Sequence, residues 1–363
     1  MSTFFPPAGD PEPTDAEQTD AEPTAGSDAD PPRRRRARWL VRGLAVVVAL
    51  VVVTGTAAAI YVGSVSRSFT SNLQHGAMLP AESPAAPPGS TAKAKPRPAK
   101  ANTKAIDYVL LGSDSLDKTD AGAGRSDSLM VLHLAADRRS AYLISFPRDM
   151  YVSIPGHGKN KINAAFSYGG APLAVQTVEG LLDTRMDHVA LIDFDGFIRL
   201  TEQLGGVTVN NPHASKSRGH TFPKGEITVS GDEALEFVRE RYALPEGDLD
   251  RAERQRLVVQ AILKKTLSRD VLADPAQFTS LVSTLAENIV VDDHLTSAQI
   301  RRTALSLRMT ADDLTLLQAP ISGFATVQGQ SIDVVDREGL AELAGALRAD
   351  DLGAYAQDHP GGS

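Results

Sequence analysis

Twenty consecutive residues, Gly43 to Val62, carry no charge, and such a run has few places to go. Wound as an α-helix it measures about 30 Å, the hydrocarbon thickness of a bilayer. Six arginines (Arg33 to Arg36, Arg38 and Arg42) precede it, whereas Arg67 is the only Lys or Arg in the twenty residues that follow. Positive charge collects on the cytoplasmic side of a span. A transmembrane helix is therefore expected over 39–62, with the N-terminus inside the cell and everything beyond Val62 outside it. Ala57 to Ala59 would suit a leader-peptide cleavage site, but leaders carry shorter apolar cores of about 7–15 residues. An uncleaved anchor is the better reading.

Around that anchor the composition shifts sharply. Residues 1–38 hold eight acids, from Asp10 to Asp30, followed by the basic flank, and almost nothing apolar after Phe5. Such a segment buries too little surface to offset its ordering entropy and is expected to be disordered. Residues 63–104 read as a juxtamembrane stretch and a Pro-, Ala- and Lys-rich spacer. A folded domain is expected over 105–350, and 351–363 as a tail. The formal charge of −8 belongs to the N-terminal acids: setting those eight aside leaves 37 acids against 37 bases. No basic surplus remains for nucleic acid. The chain has no cysteine, which excludes thiol catalysis, disulfides and Cys-ligated metals.

Within the domain, apolar runs predict strands at 106–111, 128–134 and 141–146, then at 189–193 and 207–210. Helices are expected over 161–168, 172–182, 196–203, 231–239 and 251–267, the last opening with Asp250 and Glu253 at capping-box spacing. Strands interspersed with helices make a layered α/β sandwich. If the first three strands form an antiparallel meander, Asp114, Arg125, Asp127, Arg148 and Asp149 gather at one edge of the sheet. Downstream, Arg239 and Arg241 flank a helix end, and Arg251, Arg254 and Gln255 open the next helix at i, i+3 and i+4. Guanidiniums bind phosphate oxygens bidentately and stay charged. Carboxylates beside phosphates hold hard divalent cations. Phosphoryl transfer needs this equipment and little covalent chemistry.

The blocks themselves resemble those of a known family. Gly112-Ser113-Asp114, Arg125-Ser126-Asp127-Ser128, Ser145-Phe146-Pro147-Arg148-Asp149 and Lys161-Ile162-Asn163 look like signatures of the LytR–CpsA–Psr family. So do Asp193-Phe194-Asp195-Gly196-Phe197, Leu204-Gly205-Gly206-Val207, the run from Gly231 to Arg241, and Asp248-x-x-Arg251-x-x-Arg254-Gln255. The resemblance covers roughly Ile106 to Lys265, with order and spacing kept. Phe146, where aliphatic residues are commoner, is a mild departure.

The resemblance implies a three-layer α–β–α sandwich with a mixed central sheet and a pocket for a polyprenyl chain. It implies transfer of a glycopolymer (teichoic acid, capsule or arabinogalactan type) from a polyprenyl-pyrophosphate carrier to peptidoglycan, with Mg²⁺, or Mn²⁺ in its place. Carried onto this sequence, Asp114 and Asp127 hold the metal. Arg125, Arg148, Arg239, Arg241 and Arg251 clamp the pyrophosphate, with Gln255 lining the head-group site and Lys161, Asn163 and Arg254 extending it. Asp149 is either a general base or a partner that orients Arg148. The competing functions are a polyprenyl-pyrophosphate phosphohydrolase and a non-enzymatic envelope regulator.

Overall fold

The computed structural model describes residues 73–82, 96–113, 126–266 and 274–359. The expected membrane helix, Asp114 and Arg125 lie outside these residues. No helix among those described is long and apolar enough to cross a membrane.

In chain order, β1 (Gln74–Gly76) is followed by β2 (Ile106–Ser113), β3 (Ser126–Leu134), β4 (Ala141–Ser145), the hairpin β5 (Tyr151–Ile154) and β6 (Gly158–Lys161), and helix α1 (Asn163–Leu182). Next come β7 (His188–Asp193), α2 (Phe194–Gln203), β8 (Val207–Asn211), β9 (Ser215–Ser217), β10 (His220–Phe222), β11 (Gly225–Val229), α3 (Gly231–Arg239) and α4 (Asp248–Thr266). The remainder is α5 (Pro275–Asn288), β12 (Ile289–Asp292), α6 (Ser297–Ser306), β13 (Leu314–Gln318), the hairpin β14 (Ile321–Val327) and β15 (Gln330–Val335), α7 (Arg337–Ala349) and α8 (Leu352–Asp358).

Seven strands make the central sheet, in the order β1-β12-β7-β2-β3-β4-β13. The sheet is mixed. β2, β3 and β4 form the antiparallel meander, while β7 runs parallel to β2 and β13 parallel to β4. Side chains alternate across a strand, so each strand feeds two cores. Val109, Val131 and Ile144 pack on one face with Val175, Val178 and Leu182 of α1 and Leu343 and Leu347 of α7. Met130, Leu134 and Leu143 pack on the other with Val259 and Leu263 of α4. Helices thus cover both faces. A separate core joins α2, α3 and α4 to the β8–β11 ribbon through Leu200, Val209, Phe222, Phe237 and Val258.

Several expectations are corrected. The stretch assigned to the juxtamembrane segment contains β1, which adds to the sheet beside β12, with Leu73 and Met78 buried. The end of the spacer also belongs to the domain. The Arg97 side chain is buried against the fully buried Glu179, donating from Nε to Oε2 at 3.1 Å, and from Nη2 to Met186 O at 3.1 Å. A single buried Arg within a Pro/Ala/Lys-rich stretch leaves no compositional trace. The supposed C-terminal tail forms α8 and seats Leu352 in the main core. The two helices expected on either side of Gly169-Gly170 are both present as the arms of α1, whose backbone leaves helical geometry at those glycines. The last strand pair of the Arg148 region, the hairpin β5–β6, was not expected, and α4 begins at Asp248, not Arg251. Asp250 consequently sits inside the first turn of α4, its Oδ2 accepting from Glu246 N–H at 2.7 Å.

At the lower end of the sheet a buried histidine is closed in on both sides. His133 Nδ1 lies 2.7 Å from Asp107 Oδ1 and Nε2 2.9 Å from Asp350 Oδ1. Asp350 Oδ2 also accepts from Ala136 N–H at 3.1 Å, so one carboxylate ties the end of α7 to the β3–β4 turn.

Candidate active site

The upper end of the sheet is shaped by a defect. Ser113 pairs with Ser126 and Gly112 with Ser128, so Asp127 is an extra residue bulged from β3. A bulge re-aims the side chain it carries, and Asp127 lines the opening above the sheet. Gly112 permits the close approach: a Cβ there would stand 3.1 Å from that of Ser128.

Arg148 arrives from the adjacent strand. Beyond β4, Phe146 N–H still donates to Leu129 O at 2.9 Å, holding the chain against β3. The turn after it closes through Met150 N–H to Pro147 O at 3.0 Å, and Asn163 N–H donates to Arg148 O at 3.2 Å. Arg148 Nη1 donates to Asp127 Oδ1 at 2.7 Å, and its Nε lies 3.3 Å from Asp248 Oδ1.

Asp248, at the first position of α4, is the centre of the cluster. Its Oδ1 contacts Arg148 and Arg251, with Arg241 Nη1 at 3.9 Å. Burial pushes this carboxyl above the usual carboxylate range, and the charge of Asp149 adds to the push, while the three arginines oppose it. Burial likewise lowers the Arg251 guanidinium from its ordinary value; Asp248 resists this, and Arg148 and Arg241 reinforce it. Positive groups crowded and desolvated in this way gain from an incoming anion.

Two hollows meet here. One is a polar chamber of about 360 Å³ whose walls include Arg148, Arg239, Arg241 and Arg251. The other, of about 230 Å³, runs between β2, β7 and helices α2, α3 and α4, and is lined by side chains such as Leu110, Ala190, Phe197, Leu235, Val259 and Ile262. Asp127, Arg239 and Gln255 line both. Gln255 Nε2 sits 3.3 Å from both Asp127 O and Val238 O, joining β3 to α3 at the junction. The Arg239 guanidinium lies 4.7 Å from the centre of the Phe194 ring, a cation–π contact at the boundary of the two hollows.

Of the residues singled out in the sequence, Asp127, Arg148, Arg239, Arg241, Arg251 and Gln255 converge. Asp149 pairs with Lys161 behind the turn, its Oδ1 2.9 Å from Lys161 Nζ. Asn163 contributes its backbone. Arg254 is a correction. Fully buried, it donates from Nη2 to Asn211 Oδ1 at 3.0 Å, His213 O at 2.7 Å and Ser215 Oγ at 2.9 Å, and packs 4.4 Å from the Phe237 ring. The reason is rotational. At about 100° per residue, Arg254 lies about 60° to one side of Arg251 and Gln255 about 40° to the other. The helix edge between chamber and core passes between them.

A family model for the LytR–CpsA–Psr proteins matches residues 81–349, nearly three quarters of the chain. The chain belongs to the LytR–CpsA–Psr family. Among relatives, a polyisoprenyl-teichoic acid–peptidoglycan teichoic acid transferase TagU from Enterococcus faecalis is 33% identical over 248 residues, 68% of this chain and 80% of that protein. The protein of the same name from Bacillus mycoides is 33% identical over 67% of this chain and 78% of its own length. Among solved structures, TagV of B. subtilis superposes with a TM-score of 0.57 at 28% identity, covering 69% of this chain and 98% of TagV. TagT bound to LIIa-WTA gives a TM-score of 0.54 at 29% identity, covering 68% and 91%.

Set within the family's blocks, Asp193 and Gly196 have a structural role. Asp193 caps α2, its Oδ1 accepting from Gly196 N–H at 2.7 Å. Two acids of the site were not assigned from the sequence. Asp248 was visible as the first letter of the Arg251 block, and an acid three residues before a helical arginine is a readable signal. Asp333 had no such signal. It lies on β15, its N–H donating to Asp149 O at 2.9 Å, and it forms a lone bridge with Met150.

Proposed function

We propose that this chain is an extracytoplasmic phosphotransferase that moves a glycopolymer of teichoic acid, capsule or arabinogalactan type from a polyprenyl-pyrophosphate carrier to peptidoglycan. The observation that carries this reading is the junction of an arginine-walled chamber with an apolar hollow across Asp127, Arg239 and Gln255. A prenyl pyrophosphate has the same two halves, a charged head on a hydrocarbon tail. The names of the teichoic acid transferases among the relatives support the same chemistry. Gly43 to Val62, with six arginines just before it and only Arg67 in the twenty residues after it, supports a single-pass anchor that leaves the domain outside the membrane.

In this reading the tail lies among Leu110, Ala190, Leu235 and Val259, and the diphosphate sits beneath Arg148, Arg239, Arg241 and Arg251. The acceptor hydroxyl attacks the polymer-proximal phosphorus, the bond to the bridging oxygen breaks, and lipid monophosphate leaves, carrying off the proton that the hydroxyl gives up. Charge then builds on the bridging and equatorial oxygens, where preorganised guanidiniums act most strongly. Asp248 fixes three of those guanidiniums without cancelling their combined charge. The Lys161–Asp149 pair steadies the turn that presents Arg148.

The carboxylate chemistry of Asp127 supports a hard divalent cation at this site. Asp127 presents a carboxylate at the chamber mouth, and such oxygens are what Mg²⁺ takes. Asp127 and Asp114 would hold it, and when bound it neutralises charge on the diphosphate oxygens.

The deciding experiment incubates the full chain with a labelled lipid-linked polymer and peptidoglycan. Label on the wall is the expected result. Release of free phosphate with no label on the wall would make the protein a hydrolase instead. Protease treatment of spheroplasts tests the topology: the folded domain should be digested from outside, and its protection would place it in the cytoplasm.

A further inference from the structure

Behind the arginines lies a third carboxyl that neither the motif blocks nor the transfer scheme uses. Asp333 is 3% exposed, and its Oδ2 is buried with no hydrogen-bond partner among the described residues. β15 brings it there. The N–H of Asp333 is bonded to Asp149 O, and the residue bridges Met150, so the β14–β15 hairpin is stitched to the turn that carries Arg148 and Asp149. The ionisable groups around its side chain are Asp248 and Arg251 from α4, Asp149 from the turn and Lys161 from β6. β14 brings no ionisable group, and β5 only Tyr151.

An unpartnered carboxylate in that position would be the third negative charge packed beside Asp149 and Asp248. It would compete with Asp149 for Lys161, and with an incoming phosphate for Arg251. We propose that Asp333 is a positioning residue whose uncharged carboxyl leaves Lys161 to Asp149 and the arginines of the chamber to the substrate. Burial, reinforced by the charges of Asp248 and Asp149, pushes this carboxyl up to about 7, with Lys161 and Arg251 resisting. The group therefore sits near the point where a modest rise in pH ionises it. Ionisation would add negative charge behind the diphosphate and loosen the Lys161–Asp149 pair. The proposal rests on the transferase reading for its consequence, though not for the state of the carboxyl.

Two measurements on the full chain in detergent separate these. The first is an infrared difference spectrum between the wild type and Asp333→Asn across pH 5.5–8.5. A protonated-acid carbonyl band that is missing in the variant and titrates near pH 7 is expected; its absence overturns the proposal. The second is the pH profile of kcat/KM for transfer. The wild type should lose about 25-fold between pH 6.5 and 8.5, the loss expected of one required protonation with a midpoint near 7, while Asp333→Asn stays within about threefold. Identical alkaline limbs overturn the positioning role. If Asp333→Asn does not fold, Asp149→Asn replaces it: with Asp149 neutral, Lys161 turns to Asp333, and the infrared midpoint should fall by about one unit or more. An unmoved midpoint is again fatal. A protein that shows the titrating band yet transfers nothing overturns the transferase reading alone.

Discussion

The two ends of the central sheet handle charge in opposite ways. At the lower end, both ring nitrogens of His133 meet a carboxylate, and the second oxygen of Asp350 meets a backbone N–H. At the upper end, Arg148, Arg218, Arg239, Arg241 and Arg251 line a chamber whose walls also hold Asp127, Glu236 and Glu240, with Asp248 set against three of the arginines. The lower cluster closes on itself and staples the end of α7 to the sheet. The upper cluster keeps positive capacity in hand, which is what an anion site requires. Buried charge by itself therefore does not mark function; an open hollow beside incompletely neutralised charge does.

The contrast breaks most directly at Arg148. Arg148→Ala should lower transfer about 10²–10⁴-fold, in line with other charge-stabilising arginines. Its thermal midpoint should move by no more than a few degrees, because the side chain borders the chamber. Near-normal turnover in a folded Arg148→Ala protein would remove the upper cluster from the chemistry. Arg254→Ala should behave in the reverse sense. It should cost about 2–4 kcal/mol of stability in urea unfolding, from a large buried side chain and its lost hydrogen bonds. Turnover per folded molecule should stay within about threefold.

A smaller effect sharpens the distinction between the two hollows. Leu235→Trp fills the apolar one and should raise KM for a long-chain prenyl pyrophosphate about tenfold, leaving a short water-soluble pyrophosphate unaffected. Equal effects on both would mean that the hollow does not take the tail.

The smallest effect belongs to the lower end. Burial works against a charged His133, but the hydrogen bonds and charges of Asp107 and Asp350 outweigh it and raise the imidazole above its ordinary range. A group raised on folding stabilises fully below its unfolded value of about 6.5, and that stability is lost as pH rises through the folded value. The thermal midpoint should therefore fall between pH 6 and 9. Asp350→Asn should cost about 1–2 kcal/mol at pH 6 and flatten the fall. A steeper fall in the variant would show that Asp350 does not hold the proton.

Much of the site was legible because it follows from the local pattern. The apolar runs predict β2, β3 and β4 as strands close in sequence, and the antiparallel meander that pairs them brings Asp127 and Arg148 to the same edge. Other features were not. Asp333 reaches the site from some 180 residues beyond Arg148, through a hairpin with no motif of its own. The lining of the apolar hollow consists of residues such as Leu110, Val259 and Leu263, which also border the core, and periodicity cannot tell a wall from a filling. Arg97 and Leu352 extend the domain at both ends, each through one buried side chain in a stretch whose composition suggests a spacer or a tail.

By itself the sequence determined the first three strands, the family and the kinds of charge the site holds, because alternation and spacing act over a few residues and survive any packing. Which way α4 faces was left to the tertiary structure. That choice sends Arg251 to the chamber and Arg254 to the core, although both are arginines one helical turn apart. It depends on what packs against each side of the helix, and those partners come from strands and hairpins far away in the chain.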